Sequence, residues 1–178
     1  MNDTKPAAPK QAIAPDSPEA DALFAHMEEL VDALPAMEAE GERLARARAA
    51  REVARLERYR KGQEKELQFI QKKFDEQMAI ERAAKESGDD AAEENARYNA
   101  LNLGNQKSIR YGAEQNAALK VKEALQTGGF SDLDEAHAAE LDDDEFAALE
   151  QKVEEYRSDY SDTLAACQAI VDAEEAQA

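Results

Sequence analysis

Residues 131–146, SDLDEAHAAELDDDEF, hold the densest group of side chains that could do chemistry. Eight of the sixteen are Asp or Glu, none is Lys or Arg, and His137 lies in the middle. A calcium loop needs acidic or amide ligands at alternate positions, a glycine at the sixth and a glutamate at the twelfth. Asp132 and Asp134 fit the first two positions, but Ala136 replaces the third ligand and His137 replaces the glycine. The stretch is therefore not a calcium loop of this kind.

Other candidates for catalysis or metal binding are equally incomplete. Asp134 and His137 resemble one acid-x-x-His element of a di-iron bundle, which requires two such elements and two further glutamates. The other histidine, His26, has Leu23 at the matching position. The two histidines, His26 and His137, could be phosphoacceptors, but ordinary surface histidines are the simpler interpretation. Cys167 could be a nucleophile, but an inert buried thiol is the simpler interpretation. We predict no catalytic, metal or cofactor residues and no enzymatic activity, and keep a metal-binding or catalytic bundle as the third hypothesis.

The acidic stretch also has the signature of a helix start. With Asp142 as N-cap, Glu145 falls at the capping-box position, and Leu141 and Phe146 fall at the two ends of a hydrophobic staple. Beyond it, apolar residues recur at alternating steps of three and four, the heptad pattern of a helix-packing seam. The seam consists of Phe146, Leu149, Val153, Tyr156, Tyr160, Thr163, Cys167 and Ile170. Two further capping boxes are predicted, from Asp90 to Glu93 and from Ser131 to Asp134.

Composition favours an all-α protein without a thick globular core. Aromatic residues make up 6% of the 178, Trp is absent, and charged residues reach 35%. No apolar stretch is long enough to cross a membrane, and the first residues lack the hydrophobic centre of a signal peptide. The single cysteine excludes an internal disulfide. We therefore expect a cytoplasmic protein without membrane insertion.

Pro and Gly positions divide the chain into predicted elements. Residues 1–16 are expected to be a disordered, proline-rich tail, and Ser17 with Pro18 is a helix start. A short amphipathic helix at 17–35 ends or kinks at Pro35. Residues 36–178 are predicted to form a bundle of helices at about 36–86, 91–126 and 132–176. The second has an apolar face that consists of Tyr98, Leu101, Ile109, Val121 and Leu125, but a loosely held or partner-dependent helix is an equal alternative. The fold class is an elongated helical bundle or coiled coil, its three long helices running up-down-up.

Charge is distributed unevenly along the chain. The formal net charge is −18, yet residues 43–73 contain eleven basic and four acidic side chains, whereas residues 123–178 contain 17 acidic and two basic ones. In the up-down-up arrangement, the start of the basic helix lies beside the start of the acidic one. These opposite charges can meet within one chain or between two.

The pattern as a whole favours a non-enzymatic helical protein–protein interaction module, acting as an adaptor, scaffold or assembly chaperone and self-associating into a homo-oligomer. The alternative is nucleic-acid binding through the arginine stripe in residues 43–65, which the negative net charge disfavours. The predicted partner-binding residues come from the first amphipathic helix, the arginine stripe and the seam. They are Leu23, Phe24, Met27, Leu30, Val31, Arg48, Arg51, Arg55, Arg58, Phe146, Leu149, Val153, Tyr156 and Tyr160.

Overall fold

A computed structural model describes residues 13–176, which form four α-helices and no strand. These are α1 (Pro18–Ser87), α2 (Asp90–Gly128), α3 (Leu133–Ala138) and α4 (Asp143–Glu175). The all-α prediction is confirmed for this part of the chain, while the predicted tail at 1–16 lies mostly outside it. No helix of the described residues is both long enough and apolar enough to cross a membrane.

Helix α1 runs without interruption through Pro35, so the prediction of separate helices at 17–35 and 36–86 is wrong. Its start is as predicted: the Ser17 hydroxyl accepts a hydrogen bond from the Ala20 N–H at 3.2 Å, and Pro18 is the first helical residue. A proline inside a helix removes one backbone donor and crowds the carbonyl four residues earlier. Packing of the residues on both sides of Pro35 offsets this cost, because Leu30 and Leu44 are both buried.

The connections after α1 and α2 have the same backbone conformation, in which a glycine with positive φ follows the helix. After α1, Gly88 has φ 74°, and the N–H of Asp89 donates to the Ala84 carbonyl. After α2, Gly129 has φ 68°, and Phe130 donates to Leu125 in the same way. Both patterns are Schellman motifs, in which glycine is favoured because it has no Cβ.

The predicted helix at 132–176 is two helices, because the chain leaves helical geometry between Ala138 and Asp143. Each piece has its own N-cap. Asp132 accepts a hydrogen bond from the Glu135 N–H, and Asp142 accepts one from the Glu145 N–H, both at 2.8 Å. The predicted cap at Asp142 is confirmed. The predicted caps at Asp90 and Ser131 are each one residue off, since Asp89 and Asp132 serve instead.

Residues 13–44 and 142–176 belong to one of two compact units, called the acidic unit here. In this unit α4 lies antiparallel to the first part of α1. Moving forward along α1, His26 contacts Asp159, Leu30 contacts Tyr156 and Glu40 contacts Lys152, so the α4 partners run backward along the chain. The predicted up-down-up order is therefore incorrect for α4, which runs opposite to its α1 partner. The reason is the continuous α1, whose residues 18–44 provide α4 with a packing surface.

Residues 45–141 form the second unit, called the neutral unit because it has 18 acidic and 17 basic side chains. The rest of α1 and α2 make an antiparallel hairpin in which Glu81 meets Arg97 and Glu66 meets Arg110. The turn after α2 and helix α3 close one end. There a small core forms from Ala50, Val53, Phe130 and Ala136.

Candidate partner-binding surface

The predicted seam of α4 faces inward, within the acidic unit. Leu149, Val153, Thr163, Cys167 and Ile170 are buried, and Phe146, Tyr156 and Tyr160 are half-buried. The Tyr156 hydroxyl donates a hydrogen bond to the Leu30 carbonyl at 2.7 Å. Burial raises the pKa of the Cys167 thiol, which disfavours the thiolate that a nucleophile requires. The seam predicted for partners therefore packs against the chain's own α1.

The predicted residues of the first helix divide into an inner and an outer set. Leu30 is buried and Leu23 is half-buried, and both belong to the inner set. Phe24 and Val31 are 39% and 47% exposed, and Met27 lies beside them. Phe24, Met27 and Val31 line, together with Glu28 and Asp32, a shallow depression of about 330 Å³ on one face of α1, called the groove here. This groove combines apolar side chains with carboxylates on one helix face.

The surroundings of the groove are strongly negative. The described part of the acidic unit has 21 Asp and Glu side chains against three Lys and Arg, a net charge of −18 with histidine neutral. One cation, Lys152, forms an ion pair with Glu40 at 2.9 Å, which lowers the pKa of that carboxyl. His26 lies 3.0 Å from Asp159, and the hydrogen bond to that carboxylate raises the histidine pKa. Proton uptake by His26 offsets one charge of this surface.

The four predicted binding residues of the arginine stripe, Arg48, Arg51, Arg55 and Arg58, belong to the neutral unit, and all four have interaction partners. Arg55 binds both carboxylate oxygens of Glu52, at 2.6 and 2.7 Å. Arg58 donates to the Ala54 carbonyl and Arg51 to the Leu141 carbonyl. Arg48 is not free of contacts either. Of the contacts named, that of Arg51 with Leu141 joins distant parts of the chain, and those of Arg55 and Arg58 lie within α1.

The acidic stretch at residues 131–146 provides a structural contact. Glu135 forms an ion pair with Arg46 and accepts two hydrogen bonds at 2.7 Å from Ser131, one from its N–H and one from its hydroxyl. These contacts lower the Glu135 pKa to about 2, and the hydrogen bond from the Ser131 backbone N–H has the largest effect. The basic and acidic runs therefore do meet within one chain at this point.

Two residues at this contact were not predicted. The Arg46 guanidinium lies over the Phe130 ring, 4.8 Å from its centroid, and Phe130 is buried. The signal for Phe130 was available in the sequence, since an apolar residue directly after a C-terminal glycine typically packs back onto the helix it leaves. No local sequence signal identifies Arg46, because its partners Phe130 and Glu135 lie about 85–90 residues away along the chain.

The described residues contain no group of three or more His, Cys, Asp or Glu side chains arranged to hold a metal ion. His137 is paired with Glu140 at 2.6 Å, and Asp134, its predicted i, i+3 partner, is exposed. Comparison of the sequence with models of known protein families, with curated proteins and with solved structures finds no match. The identification of the candidate site therefore depends on the geometry and charge of the described residues.

Proposed function

We propose that the chain is a non-enzymatic protein–protein interaction module whose acidic unit binds a basic amphipathic segment of a partner protein. The observation that supports this most is the groove of Phe24, Met27 and Val31, which remains exposed in a unit of net charge −18. Exposed apolar side chains bordered by charge are typical of docking surfaces. An adaptor, a scaffold or an assembly chaperone for basic proteins would each use such a surface.

The partner class follows from two separate requirements. Glu28 and Asp32 border the groove and the rest of the unit is acidic, so a cationic segment gains attraction and a fast association rate. The apolar side chains Phe24, Met27 and Val31 favour a segment that presents Leu-like side chains at helical spacing, because one helix can then pack on the face of another. A segment with lysine or arginine on one face and aliphatic residues on the other meets both requirements.

Binding of fluorescent peptides tests the proposal. The probe is an amphipathic peptide of leucine and lysine at helical spacing, and a lysine-only peptide of equal charge measures attraction by charge alone. The variant Phe24→Gln/Val31→Gln removes apolar surface without changing charge, and Leu164→Gln/Val171→Gln makes the matched change on exposed positions of α4. Because burial of a Phe or Val side chain contributes about 1.5–3 kcal/mol, the groove variant should weaken binding of the amphipathic peptide at least about tenfold.

Three results would contradict the proposal. They are equal affinity for the two peptides, an equal loss in both variants, and absence of binding at low salt. Duplex DNA serves as a further probe, since the alternative function predicts binding that Arg55→Ala weakens. The contacts of the arginine stripe with its own chain disfavour that alternative.

A further inference from the structure

Several of the largest apolar side chains of α2 are exposed rather than buried in its own hairpin. Within the neutral unit the buried residues of this helix are Ala96, Ala100, Ala117 and Val121. Tyr98, Leu101 and Ile109, three of the five residues of the predicted packing face, are 66%, 64% and 71% exposed. Val121 of that face is buried, so the face divides between an inner and an outer part. A helix that buries alanine and exposes Tyr, Leu and Ile has a second face to cover.

Tyr98, Leu101 and Ile109 form one stripe with Asn105 and Gly112, whereas the exposed Tyr111 lies on another face and the exposed Leu119 lies two turns further along. At 100° per residue, positions 98, 101, 105, 109 and 112 fall within about 80° of one another around the helix. None of these five residues is charged, in a chain in which 35% of residues are charged. A groove of about 370 Å³ follows one edge of the stripe, where Leu101 and Asn105 meet Phe74 and Met78.

The stripe is symmetric about Asn105. Its steps along the chain are 3, 4, 4 and 3 residues, which read the same in both directions. When two copies of α2 lie antiparallel with Asn105 on the two-fold axis, Leu101 of one copy faces Ile109 of the other. Tyr98 then faces Gly112, where no atom lies within 4 Å of an added Cβ, so there is space for the ring. The two Asn105 amides can pair, since each has a donor and an acceptor.

Charge at this face does not oppose a second copy. In the same register Arg97 faces Ala113, Lys107 faces Leu103 and Arg110 faces Ala100, so no like charges are opposed. The neutral unit is nearly balanced, so two copies of it approach without the repulsion that two acidic units would have. An isologous contact of this kind requires a self-complementary patch, which the symmetric stripe provides.

We propose that the chain self-associates through α2, with Tyr98, Leu101, Asn105, Ile109 and Gly112 of two copies packed antiparallel about a two-fold axis at Asn105. The interface is one helix face wide and belongs to the small, reversible class. The five interface residues belong to the neutral unit, and none of them lines the groove of the acidic unit.

Sedimentation equilibrium over a concentration series from low micromolar to millimolar tests the proposal. The wild-type chain should show a reversible monomer–dimer equilibrium. Leu101→Glu/Ile109→Glu should raise its dissociation constant by more than about tenfold, because charges then oppose at the centre of the interface. The matched control Phe69→Glu/Ile80→Glu, at exposed positions of α1, should leave it unchanged. A monomer at every concentration, or equal effects of the two variants, would overturn the proposal.

Cross-linking under mild oxidation tests the register. Asn105→Cys should form a covalent dimer, because the two thiols meet at the axis. Asn116→Cys, on the same face but eleven residues away, should not. The wild-type chain controls for Cys167, which is buried. Faster cross-linking at position 116 than at 105 would overturn the antiparallel register.

Discussion

Glu135 shows how one side chain can join distant parts of the chain. It accepts hydrogen bonds from Ser131 and forms an ion pair with Arg46, 89 residues earlier. Its folded pKa of about 2 lies below the ordinary value of 4.5. A carboxyl with a lowered folded pKa contributes stability that is complete above the unfolded pKa and disappears as pH falls through the folded one.

We therefore expect Glu135→Gln to remove a contribution to folding stability. The wild-type chain has this contribution at pH 7 and loses it between about pH 4.5 and 2. Thermal unfolding of both proteins across this range measures it, and the gap between their midpoints should narrow as pH falls. In a carboxyl-detected NMR titration, Ser131→Ala should raise the Glu135 pKa by removing one of its contacts. A constant gap across the range, or an ordinary Glu135 pKa in the wild type, would contradict the assignment.

Tyr156 carries a second residue-scale prediction. Its hydroxyl donates to the Leu30 carbonyl at 2.7 Å, close to Pro35. Tyr156→Phe removes the hydrogen bond and keeps the ring, so the thermal midpoint should drop by about 2–4 °C. Tyr160→Phe is the matched control, because that hydroxyl has no hydrogen bond to the described residues. A larger drop in the control would argue against the α1–α4 contact.

At the scale of helices, local signals were predictable and long-range ones were not. The caps at Ser17 and Asp142 and the inward face of α4 follow from residues a few positions apart. Continuity through Pro35 does not, because it depends on packing against α4, more than a hundred residues away. Which face of α2 packs inward also depends on long-range contact: Ala96 and Ala100 allow close approach to α1, so Tyr98, Leu101 and Ile109 lie outside.

Pro35 offers a direct test of continuity. Because proline inside a helix is about 3 kcal/mol less favourable than alanine, Pro35→Ala should raise the free energy of unfolding by up to that amount. Denaturant titration followed by circular dichroism measures the change. If residues 18–34 and 36–87 were separate helices joined at a turn, the same substitution would be neutral or destabilising.

Two glycines of α1 and α2 should respond in opposite directions to alanine. At Gly62 an added Cβ meets nothing within 4 Å, so Gly62→Ala should stabilise by about 0.5–1 kcal/mol. At Gly128 the Cβ would lie 2.6 Å from the Phe130 ring, so Gly128→Ala should destabilise by about 1–3 kcal/mol. Equal changes of one sign, measured by denaturant unfolding, would contradict the packing of Phe130.

Over the whole molecule, the net charge of −18 is concentrated in the acidic unit, and the neutral unit contributes almost none of it. The sequence predicted a basic and an acidic pole. It could not predict that the first 27 residues of α1, themselves acidic, are the partner of acidic α4. Like charges on two packed helices make the acidic unit self-repulsive.

Salt should therefore stabilise the chain at pH 7. Raising ionic strength from about 0.01 to 0.15 M shortens the screening length from about 30 to 8 Å, which weakens repulsion between carboxylates. The thermal midpoint should rise with salt, and the rise should shrink near pH 4, where many carboxylates are protonated. A midpoint that falls with salt at pH 7 would mean that ion pairs outweigh repulsion.

The central claim is that the seam of α4 is occupied by the chain's own α1 and that the groove of Phe24, Met27 and Val31 is left for a basic partner. Methyl NMR of the chain, titrated with the leucine–lysine peptide, tests both parts at once. The signals of Met27 and Val31 should shift in proportion to the bound fraction, while those of the buried Leu149 and Val153 stay in place. Shifts at Leu149 and Val153 without shifts at Met27 and Val31 would contradict the claim.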